Sequence, residues 1–467
     1  MRTRARIAGL VAAALPVALV AAGCGTSGTA GPPAPAVDMA RGVAAHEPAV
    51  DPRPYGAADT AFGLDVLGTW CRADPSANLV LSPASLASGL GMAYLGSQGD
   101  TAQAMARVLH LPATGRSELL AGLRTRSAAL RGLSSPGVTV SASDQVWADP
   151  GLPLRPGYLN DVATGYDAGV AQVPLLSSPD RAAREISQAV AAATRGHIPQ
   201  LLPPGSLDGI AWVLTDALYL NAAWATPFQA SETSSGPFTT ATGQQVSARF
   251  MNGGGYRAAT AGGWTAVSLP YRGGTLAMVA LLPAPGAGSC AMPTARTLAA
   301  MTTSLGAGGT ARPGTGRASP GTGSASPGTG NPSPGTRSAS PGTGSATVPG
   351  GVSGRAAIAL PKVDLSTQAS MKDLLKTLGM GIAFGPDADF GGMSRQACCI
   401  GLVEHAATLQ VGEKGTVASA ATAVGIAPTA GMAGPVVDFD RPYLLLVTDT
   451  ATGEPLFAAR VADPAAH

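Results

Sequence analysis

Cysteine and histidine side chains near the carboxyl end of the chain are the first residues that could do chemistry. Cys398 and Cys399 are adjacent, and His405 follows six residues after the second cysteine. A thiolate activated by an imidazole is a strong nucleophile, so these residues could in principle carry acyl transfer. Their surroundings are apolar, however, and cysteine and histidine in such a stretch are more typical of a core. We therefore interpret them as structural.

The common motifs of hydrolases are absent from the sequence. No Gly-x-Ser-x-Gly elbow occurs, and none of the four lysines has a serine three residues before it. His46-Glu47 runs into proline, which excludes His-Glu-x-x-His, and no Cys-x-x-Cys spacing occurs. The sequence therefore predicts no enzyme, no metal site and no cofactor.

Disulfides are possible but cannot be paired from the sequence. Outside the amino-terminal segment the cysteines are Cys71, Cys290, Cys398 and Cys399. Their even number permits disulfides in an exported protein. Adjacent cysteines rarely bond to each other, and no spacing identifies partners, so the pairing stays open.

Charge and composition narrow the functional classes. The 467 residues include 30 basic and 28 acidic side chains, and only 12% are charged. A near-zero balance without a basic stripe excludes a typical nucleic-acid or polyanion binder. Arg116, Arg124 and Arg126 are too few for a glycosaminoglycan site, and we interpret them as a solvated helix face.

The amino terminus has the features of an export signal. Three arginines precede an apolar run over residues 8–22, which is too short to span a bilayer comfortably. Ala21-Ala22-Gly23-Cys24 resembles a lipobox, which predicts a signal peptide over 1–23 and a lipid on Cys24. A plain secretory signal cut nearby is the alternative. We expect an extracellular protein or a lipoprotein on the outer face of the cytoplasmic membrane, touching the membrane only through that lipid.

Two low-complexity stretches set the domain boundaries. Residues 24–57 are rich in Gly, Ala, Pro, Ser and Thr without an apolar period, which predicts a flexible tether. Residues 305–350 contain five Pro-Gly-Thr units at a seven-residue period. No unit carries an apolar pair, so a coiled coil is excluded and a flexible insertion is expected. One domain over 58–467, interrupted by this insertion, remains.

Helical patterns come mostly early and strand patterns mostly late, which favours an α+β fold with large sheets. Asp100-Thr101-Ala102-Gln103 is similar to a capping box, and residues 186–193 have a helical period. Strand patterns cover residues 211–220, 265–269, 277–282, 358–363, 402–411 and 443–448.

The segment from Val411 to Pro435 is the most informative. Its central twelve residues, 416–427, contain no charge and no proline, and alternate positions in the first half are small: Thr416, Ala418, Ala420 and Thr422. Alternate residues of a strand share one face. Small neutral side chains on that face could enter between two existing strands without overpacking or burying charge. The residues are equally compatible with an Ala-rich surface loop.

The surroundings of this segment resemble the serpins, the serine protease inhibitors. Glu413-Lys414-Gly415-Thr416 and the small residues after it are similar to the hinge of the serpin reactive centre loop. Other family-like motifs follow in the family's order: Asn78–Pro83 with Ser85, Tyr94–Leu111, Asp216–Trp224, Leu269–Tyr271, Leu360–Lys362, Ala388–Ser394, Phe439–Tyr443 and Leu456–Val461. The resemblance covers almost all of 58–467 outside the insertion.

The resemblance implies the serpin fold, with three β-sheets, eight or nine helices and an exposed reactive loop. It implies a protease inhibitor in which a serine protease attacks the loop and forms an acyl-enzyme. The cut loop then enters the large sheet as an extra strand and distorts the protease. The implied partner is thus a covalently bound serine protease, and the inhibitor is expected to be a monomer.

The resemblance also implies roles for individual residues. The hinge would comprise Glu413, Gly415, Thr416, Ala418, Ala420 and Thr422. Counting sixteen residues on from Glu413 places the reactive bond at Thr429–Ala430. Counting back from Arg441-Pro442-Tyr443 ends about two residues later, so Met432–Ala433 is the alternative bond. The small and apolar residues around both favour an elastase-like or subtilisin-like target.

A polar cluster where the sheet opens is implied as well. It would contain Ser82, Ser85, Asp216, His405 and Trp224, with Asp216 in place of the family's asparagine. A buried Asp216–His405 charge pair would make sheet opening sensitive to pH; a satisfied core aspartate is the alternative. The rival function is a serpin-fold surface protein that does not trap proteases.

Overall fold

The computed structural model describes residues 37–306, 354–416 and 435–466. Within them lie eight α-helices: α1 (Arg53–Ala73), α2 (Pro83–Tyr94), α3 (Gly99–Val108), α4 (Arg116–Arg131), α5 (Pro156–Tyr166), α6 (Pro179–Ala193), α7 (Ala295–Gly306) and α8 (Lys372–Leu375). The strands in the same ranges are β1 (Asp38–Ala40), β2 (Leu79–Leu81), β3 (Val138–Ala142), β4 (Gln145–Ala148), β5 (Val170–Gln172), β6 (Trp212–Ala223), β7 (Ser234–Thr239), β8 (Gln245–Ala261), β9 (Trp264–Pro270), β10 (Leu276–Pro283), β11 (Gly354–Pro361), β12 (Val363–Ser370), β13 (Val403–Gly412), β14 (Gly415–Thr416), β15 (Val436–Asp438), β16 (Tyr443–Asp449) and β17 (Pro455–Val461).

The first sheet contains the segments that matter most for function. Its strand order is β1-β5-β4-β6-β14-β13-β12, and β3 also pairs with β6. Most of its ladders are antiparallel, but β6 and β13 run parallel. Both central strands are largely buried. The sheet therefore holds a parallel pair at its centre.

The remaining strands form a second sheet, β15-β11-β8-β9-β10-β16-β17-β2, with β7 beside β8. The fold class expected from the sequence is confirmed, but the described strands follow two hydrogen-bonded sheets where three were expected. The reason is the 17-residue strand β8, which pairs with β7 and β11 along its length and with β9 at its end. Strand β8 thus joins its three neighbours, β7, β11 and β9, into one continuous sheet.

Helix α2 lies at the centre of the molecule. Every residue from Pro83 to Ala93 is buried, as expected for a helix that is apolar on all sides. Its first turn is capped by Ser82, whose Oγ accepts a hydrogen bond from Ser85 N (3.1 Å), and Pro83 occupies the first helical position. This cap places two serines directly beneath the first sheet.

Three local expectations from the sequence are wrong. The capping box at the start of α3 does not form, because Gln98 is the N-cap and Thr101 Oγ1 accepts from Asp389 N (2.9 Å). The strand predicted over 358–363 is broken at Lys362, where the chain passes from β11 in the second sheet to β12 in the first. Arg126, read as part of a solvated helix face, is 2% exposed and pairs with two buried carboxylates.

The expected tether over 24–57 is also wrong for its described part. Residues 38–40 form β1, which pairs with β5, and α1 begins at Arg53. The lack of an apolar period does not prevent this, because backbone hydrogen bonds to an existing sheet edge do not depend on the side chains. The segment from 24 to 36 lies outside the described residues. Within the described ranges no helix combines the length and hydropathy needed to cross a membrane.

Candidate functional site

The junction between β6 and β13, called the seam below, changes its pairing along its length. At one end five residues of β13, Val403–Ala407, pair in parallel with Leu214–Leu218 of β6. At the other end β14 lies between the two strands and is antiparallel to both, through Val411↔Thr416 and Thr416↔Ala222. The seam is thus closed at one end and already occupied by a third strand at the other.

Glu413 fixes the chain just before it enters the seam. Its carboxylate pairs with Lys362 (Oε2–Nζ 2.9 Å) and accepts a hydrogen bond from Thr233 Oγ1 (3.1 Å). Its carbonyl accepts from Phe228 N (2.9 Å). Burial opposes ionisation, but the hydrogen bonds from Lys362 and Thr233 outweigh it, so the pKa of Glu413 lies below its ordinary value. The hinge therefore begins at a charged anchor.

Gly415 is the residue at which the backbone turns into the sheet. Its φ is +147°, which side chains rarely adopt, and a Cβ there would lie 2.1 Å from the carbonyl oxygen of Ala222. A larger residue would therefore push β14 away from β6.

Two aromatic side chains, Trp224 and Tyr271, contact the chain at the start of the hinge. Trp224 donates from its backbone N to Lys414 O (3.0 Å) and from Nε1 to Gly412 O (2.9 Å). Its ring stacks on Tyr271 at 4.5 Å between centroids. Tyr271 Oη in turn lies 2.6 Å from Thr416 Oγ1, in hydrogen-bond contact, and Thr416 is fully buried. The buried hydroxyl of Thr416 is thus satisfied inside the sheet.

A second group of polar side chains lies under the closed end of the seam. His405 Nδ1 is hydrogen-bonded to Asp216 Oδ1, its neighbour across the parallel ladder, and His405 Nε2 accepts from Ser82 N (3.3 Å). A nitrogen that accepts is unprotonated, so this network assigns the imidazole proton to Nδ1. Both nitrogens of His405 thus have hydrogen-bond partners, an arrangement that fits the satisfied core aspartate, one of the two alternatives left open by the sequence.

Two further acids surround this group, and sequence reasoning missed both. Asp144, between β3 and β4, accepts a hydrogen bond from Ser85 Oγ. Burial raises the pKa of Asp144 to about 8, against the hydrogen bond from Ser85 and with the charge of Asp216 adding to the rise. Burial likewise raises the pKa of Glu404 to about 7, again with Asp216 adding to it. The seam therefore carries carboxyl groups that titrate near neutrality.

The structure divides the residues predicted from the sequence into three sets. Ser82, Ser85, Asp216 and His405 do lie together. Trp224 belongs with the hinge, since it follows Asp216 by eight residues on the same course of chain, roughly 26 Å in an extended strand. Several predicted positions fall outside the described residues: Cys24, Ala418, Ala420, Thr422, Thr429, Ala430, Met432 and Ala433.

The possible thiol–imidazole pair does not form. Both nitrogens of His405 are engaged, with Asp216 and Ser82, while Cys398 is exposed and forms its contact with Cys399. Cys71 and Cys290, which the sequence could not pair, form a disulfide with Cα atoms 5.6 Å apart. Neither cysteine pair is therefore placed to use His405 as a general base.

The fold and the seam together define an α+β protein whose large sheet has begun to accept a strand from the same chain. The family model described as Serpin (serine protease inhibitor) matches residues 57–303 and 351–464, most of the chain. The protein therefore belongs to the serpin family, as the sequence motifs indicated. Members of this family are generally protease inhibitors and not enzymes.

Individual relatives are similar over most of their length. An uncharacterised serpin-like protein of Thermococcus kodakarensis is 28% identical over 83% of this chain and 81% of its own. The leukocyte elastase inhibitor of Bos taurus is 25% identical over 87% of this chain and 99% of its own. The thermophilic serpin tengpin, solved in the native state, superposes with a TM-score of 0.70 at 21% identity, covering 91% of this chain and all of tengpin.

Proposed function

We propose that this serpin is an irreversible inhibitor of serine proteases that acts as a suicide substrate. The protease attacks a bond within residues 417–434 and forms an acyl-enzyme. The cut segment then extends β14 along the seam and carries the bound protease with it. The chain itself supplies no catalytic group, because the nucleophile belongs to the protease.

The position of β14 is the observation that supports this proposal most strongly. A two-residue strand already lies between β6 and β13, antiparallel to both, and the chain leaves it at Thr416 in the direction of the closed end of the seam. Because β6 and β13 are parallel to each other, one antiparallel strand can pair with both along their whole length. Continuing β14 therefore needs only separation of the parallel ladder.

The sequence beyond Thr416 fits the space that such a strand would fill. Ala418, Ala420 and Thr422 share the face of buried Thr416, since alternate residues of a strand point the same way. No residue in 417–434 is charged. Insertion would therefore add two ladders of backbone hydrogen bonds without burying charge. An energy gain that only the cut chain can realise is what an irreversible trap requires.

The reactive bond is proposed at Thr429–Ala430, with Met432–Ala433 as the alternative. No lysine or arginine lies between Lys414 and Arg441, so a protease with a small or medium apolar specificity pocket is the expected target. A similar protein is named leukocyte elastase inhibitor, which agrees with this choice. We therefore propose elastase-like or subtilisin-like targets.

Mixing the purified protein with elastase or subtilisin tests the proposal. An adduct that survives boiling in detergent is expected, with the protease activity lost in proportion. Thr416→Arg should abolish the adduct and leave simple cleavage, because it would place a charge at a fully buried position. Gln410→Arg is the matched control, since Gln410 is exposed on the neighbouring strand.

The alternative is a serpin-fold surface protein with a binding or structural role. It predicts cleavage without an adduct for both the wild type and the Gln410→Arg control. That result would exclude the inhibitory mechanism.

We also propose that the protein acts outside the cytoplasm as a monomer, secreted after cleavage of a signal peptide or held at the membrane by a lipid on Cys24. The Cys71–Cys290 disulfide supports an oxidising compartment.

A further inference from the structure

Cys398 and Cys399 are two adjacent thiols that take part neither in the hinge nor in the polar group under the seam. Their sulfur atoms lie 2.9 Å apart, in S–H···S contact. Cys398 is exposed and Cys399 is partly buried. A disulfide bond is about 2.05 Å long, so the two sulfur atoms are within roughly 0.9 Å of bonding distance. Two thiols in this position form a vicinal dithiol that a reagent in solution can reach.

The chain segments before and after the dithiol differ in exposure and in their contacts. After the pair, Ile400 N donates to Ala383 O (2.9 Å), and Leu402 O accepts from Leu214 N (3.1 Å) on β6. Before the pair, Arg395 and Gln396 are exposed. The cysteines therefore lie four to five residues before β13 begins, at the closed end of the seam and at the opposite end of β13 from the hinge.

We propose that Cys398 and Cys399 are a redox modification site, at which a low-molecular-weight disulfide converts the vicinal dithiol into a vicinal disulfide. This proposal does not depend on protease inhibition. It assigns a function to two residues that the reactive loop and the hinge do not use.

The reaction takes place by two thiol–disulfide exchanges. The exposed Cys398 sulfur attacks the disulfide RS–SR, whose S–S bond breaks, and one RS⁻ leaves and takes up the proton lost from Cys398. The sulfur of Cys399 then attacks Cys398 Sγ in the mixed disulfide, and the second RS⁻ leaves and is protonated. The protein loses two electrons and two protons, and RSSR is reduced to two RSH.

The environment assigns different roles to the two sulfurs. Burial raises the pKa of the Cys399 thiol to about 11, and its hydrogen bond with Cys398 adds to the rise. Cys399 is therefore a poor first nucleophile, because the thiolate is the reactive form. Exposure favours initial attack by Cys398, while Cys399, in contact with Cys398 Sγ, is placed to resolve the mixed disulfide.

The product should be easy to reduce. Ordinary disulfides join residues whose Cα atoms are 4.4–6.8 Å apart, whereas consecutive Cα atoms are separated by about 3.8 Å. A bridge between neighbours therefore carries strain, and strained, accessible disulfides have the more oxidising potentials. The Cys71–Cys290 bridge, with its ordinary Cα separation of 5.6 Å, should resist the same reductant.

Oxidised glutathione tests the proposal on the full-length protein, with intact mass and thiol titration as readouts. The wild type should lose two free thiols and two hydrogen atoms, release two glutathione molecules per chain and retain none. Cys399→Ser should keep one glutathione, because nothing displaces it from Cys398. Cys398→Ser should react more slowly and also keep its adduct. Mild reductant should restore both thiols while the Cys71–Cys290 bridge stays closed.

Phenylarsine oxide provides an independent measurement, because a trivalent arsenical bridges two neighbouring thiols. One arsenical per wild-type chain is expected, blocking the reaction with glutathione, and neither single variant should retain it. A wild type that accumulates stable glutathione adducts as the single variants do, or that fails to react with either probe, would overturn the proposal.

Discussion

Thr416 pairs with Ala222 in an antiparallel ladder only four residues along β6 from Leu218, which pairs in parallel with Ala407. The same strand therefore has two different partners within a few residues. Extending one pairing requires breaking the other, so the seam can exist in a closed and an open arrangement. The predictions on the reactive bond and on strand insertion depend on this relationship.

The identity of the reactive bond can be tested by changing target specificity. Thr429→Arg should create an inhibitor of trypsin, since an arginine on the acyl side of the cleaved bond suits a trypsin-like pocket. Sequencing of the released fragment should then begin at Ala430. Met432→Arg is the matched comparison and should give cleavage without a stable adduct. The opposite pattern would place the reactive bond at Met432–Ala433.

Stability should fall as the pH rises through the neutral range. A carboxyl group whose pKa is higher in the folded than in the unfolded state binds its proton more tightly when folded, so deprotonation destabilises the fold. For Glu404, whose pKa is about 7 in the folded protein, the free energy of unfolding should decrease as the pH rises from about 4.5 to 7. Allowing for its partial exposure, we expect roughly 1–3 kcal/mol from this residue.

Thermal unfolding between pH 5 and 8 measures this effect. Glu404→Gln should reduce the pH dependence, and adding Asp144→Asn, whose buried carboxyl has a pKa of about 8, should flatten it further. Glu232→Gln, at an exposed position, serves as the control. Parallel Tm–pH curves for all four proteins would contradict the assignment.

A buried ion-pair network joins α4 to α1 and to the residue before β17. Arg126 Nε lies 2.5 Å from Asp59 Oδ2, and Nη2 lies 2.9 Å from Glu454 Oε1, with all three side chains almost fully buried. Arg126→Met should cost about 3–5 kcal/mol, because it leaves two acids without their counter-ion.

Chemical denaturation would measure that loss. Arg124→Met, on the same helix but at a half-buried position where Nη1 donates only to the carbonyl oxygen of Ala45 (3.0 Å), should change the free energy of unfolding by about 1 kcal/mol or less. Adding Asp59→Leu and Glu454→Met to Arg126→Met should recover much of the stability. Equal effects of Arg126→Met and Arg124→Met would show that the network contributes nothing.

Removing the disulfide should lower stability without affecting the seam. Cys71 and Cys290 are separated by 219 residues, so the bridge restricts a long loop of the unfolded chain. The double variant Cys71→Ser/Cys290→Ser should lose about 2–5 kcal/mol and still form the protease adduct. An unchanged midpoint of urea unfolding would contradict this role.

The sequence was most informative at positions where the backbone conformation requires a particular residue type. Gly415 has a positive φ and lies where a Cβ would collide with Ala222 O, and Ser82 caps α2, so both positions could be recognised from local motifs. Five main strands, β6, β9, β10, β13 and β16, were predicted within three residues of their ends. The break at Lys362 was missed because Val363 continues the β-type pattern of the preceding residues, although it already belongs to β12 in the other sheet.

Contacts between residues that are far apart in the chain could not be predicted from the sequence. Asp144 and Glu404 are acids in segments that could equally face solvent, and only the contacts with distant parts of the chain show that they are partly buried. The pairing of Cys71 with Cys290 has no local signal either. Arg126 differs from Arg124 only in the side of α4 that it occupies. In each case the deciding quantity is burial by a distant part of the chain.

The central claim is that the native sheet is metastable and gains a strand when the segment after Thr416 is cut. Limited cleavage within 417–434 by subtilisin, followed by calorimetry of the nicked protein, measures this directly. We predict a large increase in Tm for the cleaved wild type and a much smaller one for cleaved Thr416→Arg. An unchanged Tm after complete cleavage of the wild type would contradict strand insertion and, with it, the inhibitory mechanism.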